Sequence, residues 1–388
     1  MNRVLFSFPS RLHCWGVLIL VLMFQDFSSI AADNLSLKDL GLPKISLWNS
    51  DITLRSSVGY RDNPTLSSTT NAQNNPFWST GGDVIIFRLP TGGWQFNTFA
   101  SFNYLSYVGL GNTSEVSSEK LGMWMAQLAK DLGDGWKSGV GLSAMYQDQV
   151  VDTSVTQTNG SSISEIVGES VAARWFVRKD FRPYWTEWDL QTTRQWLAAP
   201  LDSSWQPGTR LAAGRNYGYG SELSLAYQWS YVAFDTREQV TADGYSDPGT
   251  HLCFQSQATE LTWRHGWDAK KHWQTLTKAG LNWNQDNGVG YFDFWQYQIS
   301  EQLKYHADTW EISASSGYHY FDFPVQAVSQ TDLAKRRKTS VSAALYGEKK
   351  LGKHCKIFCN FAYEESHSNT SYDTYGTSTT SLGVEYHF

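Results

Sequence analysis

The sequence predicts an all-β protein: a transmembrane antiparallel up-and-down β-barrel of about 16 strands. Three observations predict it. Segments along most of the chain alternate apolar and polar residues with period two, and the gaps between them are short and long by turns. The composition also joins many aromatics (15%, with 18 Trp and 20 Tyr) and 31 Gly to few charges, 18%, where ordinary soluble domains carry about 25%. That balance suits a wall with an apolar outside and a polar inside. A net charge of −6 gives no basis for nucleic-acid binding.

The first element is a targeting segment. Arg3 and Arg11 precede an apolar run at residues 15–24 (WGVLILVLMF), and Ser29-Ile30-Ala31 supplies small residues behind it. This is the order of a secretory signal peptide, residues 1–31, cleaved after Ala31. The run is too short to span a bilayer as a helix, which takes ~20 residues. Cys14 stands before the run, which argues against a lipoprotein anchor. Residues 32–50 come next. Leu35, Leu37 and Leu40 are apolar, but Gly41 and Pro43 follow at once, so one helical turn is the most they support. This stretch reads as a periplasmic lead-in or a small plug, with the barrel occupying 51–388.

Barrel strands follow from the alternation. Trp94, Phe96, Thr98, Ala100, Phe102 and Tyr104 share one parity, and Gln95, Asn97, Ser101 and Asn103 the other, with Phe99 the exception. Trp136 to Tyr146 alternates in the same way, broken at Met145. Leu223, Leu225, Tyr227, Trp229 and Tyr231 oppose Glu222, Ser224, Gln228 and Ser230; Trp310, Ile312, Tyr318 and Tyr320 oppose Glu311, Ser313, Gly317 and His319. Strand side chains alternate between faces, so each segment has one apolar and one polar side. The pattern places strands at 51–61, 82–90, 94–107, 120–130, 136–147, 164–178, 183–196, 208–217, 220–234, 252–264, 272–284, 291–305, 309–322, 339–349, 354–365 and 378–388. A count of fourteen or eighteen also fits. Many segments exceed the 5–6 residues usual in soluble strands and meet the ~9–11 that a tilted transmembrane strand needs. Aromatics gather at segment ends (Trp94, Trp136, Tyr217, Tyr219, Trp273, Trp310), where interfacial girdles belong. A soluble sandwich would alternate too, but needs neither the length nor the girdles.

Tight turns are expected at 90–93, 131–135, 179–183, 216–220, 268–271, 306–309 and 349–353. Longer polar stretches lie at 62–78, 109–119, 148–162, 198–208, 235–251, 324–338 and 366–377. This is the short-periplasmic, long-extracellular pattern of bacterial barrels, and only the brief gap at 285–290 fits it poorly. Around 255–259 the parity slips, which suggests a bulge. Without Cys14, the cysteines are Cys253, Cys355 and Cys359. The last two would share a strand face ~13 Å apart, too far for a disulfide, and read as packing residues.

The last strand ends Leu382-Gly383-Val384-Glu385-Tyr386-His387-Phe388, with Leu382, Val384, Tyr386 and Phe388 on one face. This resembles the C-terminal signal of outer-membrane proteins, and the whole mature length resembles the sixteen-stranded porin-type barrels. The opening Ser57-Val58-Gly59-Tyr60-Arg61-Asp62-Asn63 is similar to the Gly-Tyr-Asp-Asp-Asn start of many β-barrel porins and of barrels attached to surface-polysaccharide systems, with Arg61 in place of the usual Asp. The resemblance implies the outer membrane of a Gram-negative-type bacterium, contact with its lipid, the barrel-assembly machinery as a partner through the strand ending at Phe388, and a homo-trimer as one assembly.

A barrel of this size encloses an aqueous lumen unless plugged. Parity turns Arg55, Arg61, Arg174, Arg178, Lys278 and Lys304 inward, with Glu187, Asp189, Glu222 and Glu311 among the carboxylates. Lys137, Lys356, Glu348 and Glu385 share that side. Arg88 and Arg194 fall on the apolar parity and belong near a membrane edge, or mark a slip of register. A wall of both signs without a charged ring predicts weak selectivity. Arg174, Arg178, Glu187 and Asp189 meet across a tight turn in the periplasmic half, either setting a local field or forming a cross-strand network that stiffens the wall. Residues 334–338 (AKRRK) read as part of an extracellular loop, solvated first of all, or else facing lipid phosphates or guiding an anionic solute, and the basic turn 264–272 (RHGWDAKKH) as solvated. Nine His lack metal-ligand spacing and no Gly-x-Ser-x-Gly elbow occurs, so no catalytic group, cofactor or metal is expected. The function expected first is passive diffusion of small polar solutes. The rivals are export of a surface polysaccharide, which would favour one charge sign, and a non-channel barrel acting through its loops.

Overall fold

Long strands with one apolar face cannot leave their edges bare in lipid, so they pair until the sheet meets itself. A computed structural model describes residues 47–67, 75–108, 117–156, 163–199, 201–329, 331–370 and 373–388. The signal peptide, Cys14 and most of the lead-in lie outside these residues. The strands are β1 (Trp48–Arg61), β2 (Asn75–Thr91), β3 (Trp94–Tyr107), β4 (Ser118–Gly133), β5 (Trp136–Asp152), β6 (Ile163–Phe181), β7 (Tyr184–Leu197), β8 (Ser204–Tyr217) and β9 (Ser221–Phe234). A small hairpin, β10 (Gln239–Val240) and β11 (Ser246–Asp247), interrupts them. They resume as β12 (Cys253–Gly266), β13 (Trp273–Asp286), β14 (Phe294–His306), β15 (Trp310–Ala327), β16 (Lys335–Lys350), β17 (Cys355–Ser368) and β18 (Tyr375–His387).

All but the hairpin strands close into one barrel, each beside its neighbour in sequence, with β9 next to β12. The seam joins β1 to β18 antiparallel, from Thr53 opposite His387 to Arg61 opposite Thr379. The sixteen expected strands are therefore the sixteen observed. Several run longer at their extracellular ends: β2 starts at Asn75, β8 at Ser204 and β16 at Lys335, within stretches expected to be loop.

The outer face carries large apolar side chains in the open, among them Leu54 and Val58 on β1, Val140 and Leu142 on β5, Leu223 and Leu225 on β9, and Leu382 and Val384 on β18. Such a band suits hydrocarbon, and the chain is an outer-membrane barrel. Short turns fall at one end. Gly92 and Gly93 at φ 58° and 80°, and Asp134 and Gly135 at 50° and 77°, give the left-handed backbone that two such turns require. At this periplasmic rim the girdle is doubled by cations. Trp94, Trp136 and Trp310 face Lys130, Lys179 and Lys349 in register, and each ammonium lies 4.8–5.0 Å from its ring centroid.

Two expectations about register resolve here. The pairing of β12 with β9 and β13 is continuous through 255–259, so there is no bulge. The apolar alternation breaks there because Gln255, Gln257 and Thr259 are polar residues on the outward side near the extracellular end; Tyr227 Oη donates to Gln257 Oε1 at 3.1 Å. Arg88 and Arg194 sit three residues from the ends of β2 and β7. Both are thus edge residues, and Arg194 reaches out of the strand to Asp235. Cys355 and Cys359 are on the outward side of β17 and unbridged, as is Cys253 on β12.

Candidate functional site

The cross-strand pairs place Arg55, Arg61, Arg174, Arg178, Glu187, Asp189, Glu222, Lys278, Lys304 and Glu311 all on the lumenal side. Most stand in ion pairs. Arg55 meets Asp83 at 2.6 Å and Arg61 meets Glu119 at 2.8 Å, with Tyr107 Oη donating to the same Glu119 oxygen at 2.7 Å. Lys278 lies 3.7 Å from Glu260 and Lys304 2.5 Å from Glu311. Lys356 is shared between Glu348 at 3.1 Å and Glu385 at 3.2 Å. Glu222 stands opposite Arg264. The wall is thus neutralised locally, pair by pair.

The densest group is on β6, β7 and β8. Because β6 and β7 turn back tightly, Arg178 falls opposite Glu187, and Arg174 lies two pleats further up, beyond Phe176. Arg174 Nε donates to Asp189 at 2.6 Å and its Nη2 to Glu187 at 3.0 Å. Arg178 reaches Asp180 at 3.0 Å and Glu187 at 3.6 Å. Arg210 on β8, not singled out by the sequence, completes the group at 3.4 Å from Asp189. The layering matters more than the distances. The Arg174 side chain is 41% exposed and that of Asp189 3%, so carboxylates lie beneath and guanidinium groups face the lumen. Arg174 also packs over Phe176, 5.1 Å from its centroid.

The extracellular mouth holds what the sequence missed. Residues 334–338 are not a solvated loop run. β16 begins at Lys335, so Arg336 and Lys338 take the lumenal parity and are buried, while Lys335 and Arg337 point out. Arg336, 1% exposed, donates from Nη1 to the Ser154 carbonyl at 2.9 Å and to Gln326 at 2.8 Å, and from Nε to Asp373 at 3.0 Å. Lys338 pairs with Asp152 and donates to Ser154 Oγ at 2.6 Å. Six strands separate β16 from β5 along the barrel, so these contacts cross the lumen. They draw the base of the third extracellular loop, residues 152–154, inward. From another side, Arg237 donates to the Thr156 carbonyl. Its guanidinium lies on Phe234 and Phe292 at 5.1 and 4.7 Å, and burial lowers it to about 10, still charged at neutral pH. The β10–β11 loop packs beside it through Val240, Leu252, Phe254, Tyr291 and Phe292. The mouth is therefore narrowed by loops fastened to the wall with buried cations.

No family model matches the chain, and no curated protein matches it. Among solved structures, OccAB1 of Acinetobacter baumannii is similar over 88% of this chain and 96% of its own, at 11% identity and a TM-score of 0.48. OccK9 (OpdG) of Pseudomonas aeruginosa is similar over 88% and 98%, at 9% identity and 0.47. A bacterial polysaccharide outer membrane secretin is similar over 87% and 97%, at 10% identity and 0.42. No residue role passes from any of them to this chain.

Proposed function

We propose that this sixteen-stranded outer-membrane barrel is a channel for passive diffusion of small hydrophilic solutes, narrowed at its extracellular mouth by the third loop. One observation carries the reading. Below the mouth, Arg174 and Arg210 keep 41% and 35% of their side chains open to the interior, a setting that charged groups tolerate only in water. Two guanidinium groups left partly uncovered on the wall favour a wet lumen over a plugged one. The pairing of cations with carboxylates around the wall favours a general pore over an exporter of a charged polysaccharide, which would present one sign. The reading assigns the barrel no catalytic chemistry. It takes the strand ending at Phe388 as the site engaged by the assembly machinery, and a trimer as the assembly to look for.

The test is reconstitution of the purified protein in planar bilayers. Stepwise KCl conductance is the expected result. A correctly folded barrel that inserts and never conducts would refute the channel and favour a loop-based role.

A further inference from the structure

The lumenal face of β2 to β5 departs from the polar rule. The exceptions that spoil the alternation in the sequence, Phe99 and Met145, point inward, and they have company. Ile85 is opposite Phe99, which is opposite Met125; Met123 is opposite Met145; Phe87 lies one pleat below Ile85. Ile85 and Phe87 are each 40% exposed and Met125 45%. Above it, past Asp83, Ser101 and Asn103 on β2 and β3, Leu105 packs on the loop core of Leu66, Phe77, Tyr107, Val150 and Tyr375. Its lower part is covered by none of the described residues. Apolar surface facing an aqueous interior costs free energy, and a patch of this kind marks a binding surface.

What lies beside the strip identifies the occupant. Next to β4, the inward residues of strand β5 between Lys137 and Met145 are Gly139, Gly141 and Ser143, and beyond it on β6 stands Arg174, opposite Gly141. An added Cβ at Gly141 would meet nothing nearer than 3.7 Å, whereas at Gly139 it would meet the Phe176 ring at 2.7 Å, so the floor is open at Gly141. Strands lie ~4.8 Å apart and rise ~3.3 Å per residue; Met125 is level with Ser143 and Arg174 with Gly141 two residues along, which puts their backbones about 12 Å from each other across that floor. The trough has an apolar flank on β2–β4. Its other flank is lined with guanidinium groups whose carboxylates are underneath. Lys137, on the floor strand, adds a charge, its ammonium donating to the neutral Gln95 amide at 2.6 Å.

We propose that the lumen binds an amphipathic organic anion as it passes, the apolar body on Ile85, Phe87, Met123 and Met125 and the anionic head towards Arg174 and Arg210. The proposal rests on the channel reading above and names the solute class that this wall takes best. Flexible methionines suit it, because they adapt to apolar bodies of different shape.

Two permanently charged probes test it on the full chain in lipid nanodiscs: p-toluenesulfonate, with an apolar body, and methanesulfonate, without one. Saturation-transfer NMR is expected to show the first binding and the second not. The paired variant Met123→Gln and Met125→Gln keeps side-chain length, and is expected to weaken p-toluenesulfonate about tenfold by removing apolar contact while KCl conductance in planar bilayers is unchanged. A barrel that conducts KCl but treats the two sulfonates alike, or whose paired variant binds as before, overturns the proposal and leaves the channel standing. A barrel that conducts no KCl overturns both.

Discussion

A guanidinium nine-tenths or more buried must have its charge met on every side, and Arg336 shows how the mouth uses that requirement. It spends its donors on Asp373, Gln326 and the Ser154 carbonyl, and lies 4.5 Å over the Phe323 ring. Removing it strands the Asp373 carboxylate, which is itself fully buried. Arg336→Met is therefore expected to lower stability by about 3–5 kcal/mol, the range for breaking one side of a buried pair. The measurement is the urea midpoint of the folded barrel in detergent, and an unchanged midpoint would contradict it. Alternation alone placed the β6–β7 charges on one face, because a tight turn fixes which residues are opposite. It could not reveal Arg336, because the polar, turn-like composition before it hides a strand start. The pairing of β15 with β16 is irregular between Asp322 and Ala327, so counting from the regular part of β15 gives no register there.

At the scale of elements, the wall tolerates side chains unevenly. On β5, an added Cβ at Gly139 would come 2.6 Å from the Leu128 carbonyl and 2.7 Å from the Phe176 ring, whereas Gly141 has room. Gly139→Ala should thus cost about 1–3 kcal/mol through overpacking and Gly141→Ala little, compared by the same urea midpoints. Equal midpoints for the two would show that Phe176 yields freely. The β12–β13 turn offers a pH signature. Asp268 accepts the amides of Trp273 at 2.9 Å and His272 at 3.1 Å, and these, the Trp273 bond foremost, hold its carboxyl below the usual range. A depressed value means the turn gains stability above the ordinary carboxylate pKa and loses it as pH falls through the lower, folded one. The Trp273 amide resonance should therefore keep its hydrogen-bonded shift at pH values where a free aspartate is already protonated, then move. Titration with the ordinary midpoint would rule this out. Strand existence and order were legible because transmembrane strands are long and strictly two-faced. Their extracellular ends were not, since above the membrane the outward residues no longer need to be apolar, as Gln255 and Gln257 illustrate.

For the whole molecule, local pairing of charge implies a pore with little preference between small cations and anions. The carboxylates under Arg174, Arg178 and Arg210 are what keeps that balance. In the paired variant Glu187→Gln and Asp189→Asn, the three guanidinium groups lose two compensating charges. The reversal potential in a KCl gradient is then expected to shift towards chloride, from a wild-type value near zero. A shift towards potassium, or none, would show that this part of the wall does not face the ion path.

The seam carries a consequence for how such a chain reaches its final state. Thr53 and His387 bond to each other across 334 residues of sequence, a far greater separation than in any hairpin of the wall. Contacts that distant form late, since the chain entropy of bringing them together is lost before they return anything. Until they form, one flank of β1 offers a row of unsatisfied amides, an invitation to adhere to any other extended peptide. Shielding that flank during the wait is a task the finished cylinder never has to perform for itself.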